Sequence, residues 1–215
     1  MIDFLFKDPL LFLVWAISLI SAVTVHEFAH AWTAVKLGDP TPKLQGRLTL
    51  NPLAHLDPIG TLMLLLVRFG WGKPVQFDPF NLENPRRDSA IISLAGPTSN
   101  LILASVLSII YRIAILPASP FGILAGFIPP FIMLNVVLAV FNLIPVHPLD
   151  GGKILVGLLP PKDAAMVDVF MTKYGIFILL ILIFPVLGGV SPVFTILTPI
   201  INFLLNIYLP GVGVV

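Results

Sequence analysis

The chain has 215 residues, of which 57% are hydrophobic and 11% charged, with a net charge of +1 and no cysteine. A soluble domain carries roughly a quarter of its residues as charges, so this composition, with a mean hydropathy of +1.01, describes an integral membrane protein. The near-neutral charge excludes a nucleic-acid footprint, and the missing cysteines exclude disulfides, thiolate ligands and a cysteine nucleophile.

No removable leader is expected, because "MIDFLFKDP" has no basic start and no small-residue cleavage site interrupts the apolar run that follows. Between Asp8 and Glu27 there is no formal charge, and the helical pattern continues to Gly38, giving roughly 28 residues and about 42 Å, a complete span. The segment "HEFAH", His26 to His30, lies in its second half. In "KLQGRLTLN", Leu44, Leu48 and Leu50 alternate with Lys43, Gln45, Arg47 and Thr49, a period-two pattern that predicts a strand or hairpin. "DPIGTLMLLLVRFGWG" opens with Asp57 as cap and Pro58 as first helical residue, but about nine apolar residues precede Arg68, which predicts a re-entrant segment flanked by basic residues.

Asn84 and Pro85 open a further membrane helix that is uncharged from Ser89 to Tyr111, with a bend expected at Gly96 and Pro97. A helix over 131–144 leads into "NLIPVHPLDGG", and apolar runs at 174–187 and 193–209 close the chain. The predicted fold is an all-α polytopic membrane protein of about five to six membrane helices, with a short re-entrant segment and a small membrane-associated β-hairpin or strand. It is read as a single membrane-embedded domain over 1–215, with a core at 9–160 and C-terminal membrane helices at 163–210.

His26 and His30 are four residues apart, so they project from one helix face a turn apart and can hold one metal ion between them. Glu27 beside them completes H-E-x-x-H, in which the glutamate reaches a metal-activated water as general base. A solvated helix end is the plainer explanation, but three ionisable groups this close within a span are costly and mark function. Catalytic zinc takes three protein ligands and leaves a position for water, so a third donor must come from elsewhere. Asp150 is the only acidic residue between Asp88 and Asp163, and it is equally placed to cap a short helix through "GGKILVGLL". His147 competes with it, and His55 and Asp57 are further candidates; Asp57 suits the capping role, and His55 either a contact at the site or a structural bond. Asn135 and Asn142 share a helix face. Asn142, nearest the break, is the candidate for orienting a peptide carbonyl or stabilising an oxyanion, while Asn135 and Asn100 suit hydrogen bonding between helices.

Taken in order, "HEFAH", "NPLAHLDPIG", "GWGKP", "NPRRD", "LAGPTSN" and "FNLIPVHPLDGG" resemble the site-2 proteases, the intramembrane zinc metalloproteases, over roughly residues 9 to 160. The compact branch without PDZ or CBS domains is the most similar. The resemblance implies one Zn2+ per chain on His26, His30 and Asp150, Glu27 as general base, and His55 and Asn142 near the substrate. It also implies cleavage within or near transmembrane segments, as in regulated intramembrane proteolysis, by a multi-pass protein of the cell membrane. The partners implied are a membrane-protein substrate with a transmembrane helix and the lipid bilayer, with no nucleic acid. Two positions depart from the family pattern: His147 stands where proline is common, making it a candidate auxiliary ligand or pH-sensitive gate, and "QFDP" replaces a valine-asparagine-proline motif. The expected 43–51 strand offers an edge on which an unwound substrate could pair. A different class, a membrane metal-ion transporter using the His/Asp cluster as a transit site, is disfavoured by the lack of an internal repeat and by Glu27, which transit does not need.

Overall fold

The computed structural model describes residues 6–67, 70–185 and 191–210. Its first long helix, α1, spans Pro9–Lys36. Asp8 caps it by accepting from the Leu11 N–H at 2.9 Å, and Pro9 fills a position where an N–H would have no helical partner. Its buried residues include Ser18, Ala22, His26, His30 and Ala34; small side chains among them let a neighbouring helix come close. The helix stops where expected, with Gly38 at φ +108°, a left-handed conformation that favours glycine.

The strand expected over 43–51 is absent. Its first residues form one helical turn, α2 (Thr41–Leu44), followed by Gly46 at φ +67°, and no strand occurs among the described residues. The alternating leucines have no sheet to pack on, since Leu44 and Leu50 are exposed. Asp39 decides the local fold instead. Buried at the end of α1, its carboxylate accepts from the Thr41 N–H (3.1 Å), the Thr41 hydroxyl (2.6 Å), the Asp78 N–H (2.8 Å) and the Asn81 amide (2.8 Å). Those bonds start α2 and tie it to residues 78–81. Arg47, also buried, donates to the carbonyls of Lys73 and Pro74. Leu56 and Gly72 form an isolated antiparallel bridge, and the Lys73 N–H donates to the His55 carbonyl at 2.8 Å. Residues 73–78 are thereby held as an irregular segment over the end of α1 that carries Glu27.

Helix α3 (Pro58–Val67) is capped by Asp57, whose Oδ1 accepts from the Gly60 N–H at 2.7 Å. Ten residues reach about 15 Å, too short to cross a bilayer; Arg68, on its flank, lies outside the described residues. Helix α4 (Pro85–Ala114) continues through Pro97 and packs on α1, on α5 (Ile128–Asn142) and on α6 (Asp150–Leu158). Helix α7 (Pro161–Ile183) begins well before the apolar run at 174, because Pro161 at its first position and Asp163 in its first turn favour a helix start. Helix α8 (Pro192–Tyr208) completes a core with α4 and α5 in which Ala104, Ile132, Val136, Leu197 and Leu205 are buried.

Three helices, α1, α4 and α7, are long and apolar enough to cross a membrane. Helices α5 and α8 are apolar but have 15 and 17 residues, so among the described residues three rather than five to six helices meet the length requirement. The bundle is apolar outside and partly polar inside: Leu13, Ile17, Ile102, Ile109, Phe177 and Ile181 are exposed, whereas Ser18, Asn100 and Asn135 are buried. A water-soluble bundle has the opposite pattern.

Burial pushes the Asp39 carboxyl up, but hydrogen bonds from Thr41, Asn81 and the Asp78 N–H outweigh it and hold the group below its usual 3.8. A carboxylate lowered on folding contributes stability that is complete above its ordinary value and is lost as pH falls through the folded one. Asp39→Ala is therefore expected to melt several degrees below wild type at neutral pH, with the gap narrowing below about pH 4, as read by thermal unfolding in detergent. A gap that is constant across that range would refute the anchoring role.

Candidate metal centre

His26 and His30 project from α1, and Asp150 is the first residue of α6. One ligand atom from each lies within 4.8 Å of the others, with Asp150 Oδ2 at 3.1 Å from His26 Nε2 and 3.3 Å from His30 Nε2. The opposite ring nitrogens fix the tautomers. His30 Nδ1 is 2.7 Å from the Ile92 carbonyl, an acceptor, so Nδ1 carries the proton. For His26 the same result follows from a chain of amides. Asn135 donates from Nδ2 to the Phe131 carbonyl at 2.8 Å, leaving its Oδ1 to accept from Asn100 Nδ2 at 2.7 Å. Asn100 Nδ2 also donates to the Ala22 carbonyl at 3.0 Å, so its Oδ1 faces His26 Nδ1 at 2.6 Å and accepts that proton.

Both Nε2 lone pairs therefore converge on a carboxylate oxygen. Three acceptors at this spacing repel unless a cation, a metal ion or an added proton, lies among them. The spacing suits a metal, since tetrahedral ligands about 2.0–2.1 Å from zinc stand about 3.3 Å from one another. Room for the rings comes from Gly96 of α4. A Cβ there would lie 2.4 Å from His30 Nε2 and 2.7 Å from His26 Cε1.

Glu27 is partly buried beside these groups, and its Oε2 accepts from the Val75 N–H at 2.8 Å. Together with the His/Asp trio it lines a pocket of about 130 Å³ that also meets Pro74, Phe77, Ser93, Asn142 and Lys153. Asn142 gives one Nδ2 hydrogen to the Leu138 carbonyl at 3.0 Å, leaving the other for a ligand.

The remaining predicted positions separate. His147 points its Nε2 at Asp168 Oδ1, 2.9 Å away, and stands outside the cluster of ligand atoms. His55 is fully buried, with Nε2 against the Thr49 carbonyl at 2.8 Å; it braces the loop and does not line the pocket. Asp57 caps α3. Asp150 makes no side-chain capping bond, so the alternative use of its carboxylate is not taken. Asn100 and Asn135, expected as interhelical bonds, also orient His26. The i, i+4 spacing of Gly96 and Asn100 on one face of α4 was a legible signal of that, whereas nothing local announced Val75 or Lys153.

A model of Peptidase family M50 matches residues 117–185, a stretch that includes His147 and Asp150. The "Putative zinc metalloprotease YwhC" of Bacillus subtilis is 44% identical over 179 residues, covering 80% of this chain and 81% of that protein. The "Putative zinc metalloprotease Rip2" of Mycobacterium tuberculosis is 32% identical over 181 residues, 81% of this chain and 67% of that protein. No solved structure matches the chain.

Gly96→Ala is expected to strip metal from the purified protein, because the added methyl displaces both imidazoles. Asn100→Ala, which removes the orienting acceptor, should weaken metal affinity by about 10–100-fold. Metal per chain by plasma mass spectrometry, with a chelator titration, reads both; a full complement in Gly96→Ala would contradict the ring positions.

Proposed function

The chain belongs to peptidase family M50, and from that membership we propose that it is a zinc-dependent intramembrane protease hydrolysing peptide bonds within or near transmembrane segments of membrane-protein substrates. The observation that carries the proposal is the convergence of two Nε2 lone pairs and the Asp150 carboxylate beside Glu27 in one pocket. His26, His30 and Asp150 would hold one Zn2+ per chain. When bound, zinc supplies a Lewis acid that polarises the scissile carbonyl and makes water a competent nucleophile at neutral pH.

The chain's own residues do the rest. Glu27 takes the proton of the attacking water and returns it to the amine nitrogen as the C–N bond breaks. The Val75 N–H holds the Glu27 Oε2, and the remaining carboxylate lone pairs are left to receive that water. Asn142 donates its free Nδ2 hydrogen to the carbonyl oxygen as negative charge builds there. The Ile92 carbonyl and Asn100 Oδ1 keep both imidazoles oriented throughout.

The substrate class follows from the setting. The histidines sit in the second half of a helix long and apolar enough to cross a membrane, so whatever reaches them comes from the bilayer or its interface. A transmembrane helix hides its carbonyls in its own hydrogen bonds, and its scissile segment must unwind inside a protein-lined cavity, because lipid leaves freed polar groups unsatisfied. The cell membrane is the proposed location, and the partners are the bilayer and a substrate with a transmembrane helix.

Glu27→Gln is expected to keep its zinc and lose about 10²–10⁴-fold in cleavage of a transmembrane peptide. Asp150→Ala should lose zinc, and His147→Ala should keep it. Cleavage surviving in Glu27→Gln would overturn the role of general base. Zinc flux into liposomes by that same variant, with no cleavage by wild type, would favour a transporter.

A further inference from the structure

Helix α6 brings a second ionisable group to the site. Lys153 lies three residues beyond Asp150, nearly one turn along the same side of the helix. It lines the metal pocket and also a neighbouring cavity of about 1220 Å³. Pro74, Val75, Phe77 and Pro148 line both as well, so the two spaces meet at a throat, and Lys153 is the one charged side chain in it.

The Lys153 ammonium stands 4.2 Å from the centroid of the Phe77 ring and, among the described residues, makes no ion pair. The acidic residue in the wall of the large cavity, Asp168, is engaged by His147 at 2.9 Å. Lys153 is exposed to the cavity, yet protein surrounds it on most sides. Glu27, Asp150 and Asp168 act on it only through space, without ion-pair contact, so the ammonium, held by an aromatic face, keeps its N–H donors for an anion that reaches the throat.

We propose that Lys153 is a specificity-determining residue that receives an acidic side chain of the substrate close to the bond that is cut. This rests on the protease reading above. A segment drawn from the large cavity toward Asp150 passes the ammonium, and an extended chain advances about 3.3 Å per residue. The acidic residue therefore sits one or two positions from the scissile bond. A lipid phosphate is the other anion of the right charge, but a headgroup in the throat would close the route to the metal pocket.

The test uses the full-length, zinc-loaded protein in detergent and a library of transmembrane peptides, with cleavage sites mapped by mass spectrometry. Wild type should favour Asp or Glu at one position beside the cut by about tenfold over the neutral amides. The acidic-to-neutral ratio should fall to about one in Lys153→Met, and Lys153→Glu should shift the preference to Lys or Arg at the same position. A ratio unchanged in Lys153→Met, whatever happens to the total rate, overturns the proposal. Binding gives a readout independent of hydrolysis. On the Glu27→Gln protein, matched peptides bearing Glu or Gln at that position should differ in Kd by about tenfold, less at high salt, and not at all once Lys153→Met is added. If wild type cuts nothing while this binding difference holds, the protease reading fails and the anionic subsite stands. An anionic lipid that co-purifies with wild type and is lost in Lys153→Met, with no discrimination between the peptides, overturns the substrate role.

Discussion

Two imidazole lone pairs and a carboxylate oxygen facing one another across 3.1 and 3.3 Å repel, and much of the fold serves to hold them there. The force that does so is a chain of hydrogen bonds in which each step removes a choice from the next. Asn135 is turned by its own helix, Asn100 by Asn135 and Ala22, and His26 by Asn100. The chain crosses α5, α4 and α1 and leaves no polar atom of either amide unpaired in an apolar interior, where a lost partner costs about 1–3 kcal/mol. The same bonds that join the three helices thus aim the nitrogen that faces Asp150.

The membrane setting makes this arrangement both costly and useful. With apolar side chains turned outward, polar residues are tolerable where protein covers them. Gly96 lets α4 pass against the two rings, so the site is closed on that side by backbone. Residues 73–78, three of which also line the pocket, are held by Arg47 and the His55 carbonyl on one flank and by Asp39 on the other. The throat beside Lys153 joins this pocket to the larger cavity. The Lys153 ammonium gives that throat a positive charge at its shared wall.

Local patterns were a good guide where one helix carries the information and a poor one where partners matter. The cap at Asp57 and the stop at Gly38 depend on a few neighbouring residues, and both form as expected. The alternation over 43–51 misled because period two reports which side chains could share a face. It says nothing about whether a second strand exists, and the side-chain bonds of Asp39 outcompete extended pairing at that point. His147 looked like a ligand because it is three residues from Asp150, yet the loop that enters α6 turns its ring toward Asp168 on α7. The helix starts at Pro161 and Ile128 were displaced from the apolar runs because prolines and first-turn charges, not hydropathy, set helix ends.

From the sequence alone came the membrane character, the pairing of His26 with His30, and the position of Glu27 beside them, since each depends on composition or on the repeat of a single helix. Tertiary structure brought Asp150, rather than His147 or His55, up to the two histidines, set both histidine tautomers, and put Lys153 in the wall that two cavities share. Those outcomes join residues 62, 74 and 124 positions apart in the chain or meet at a cavity wall, and helical periodicity carries no information over such separations.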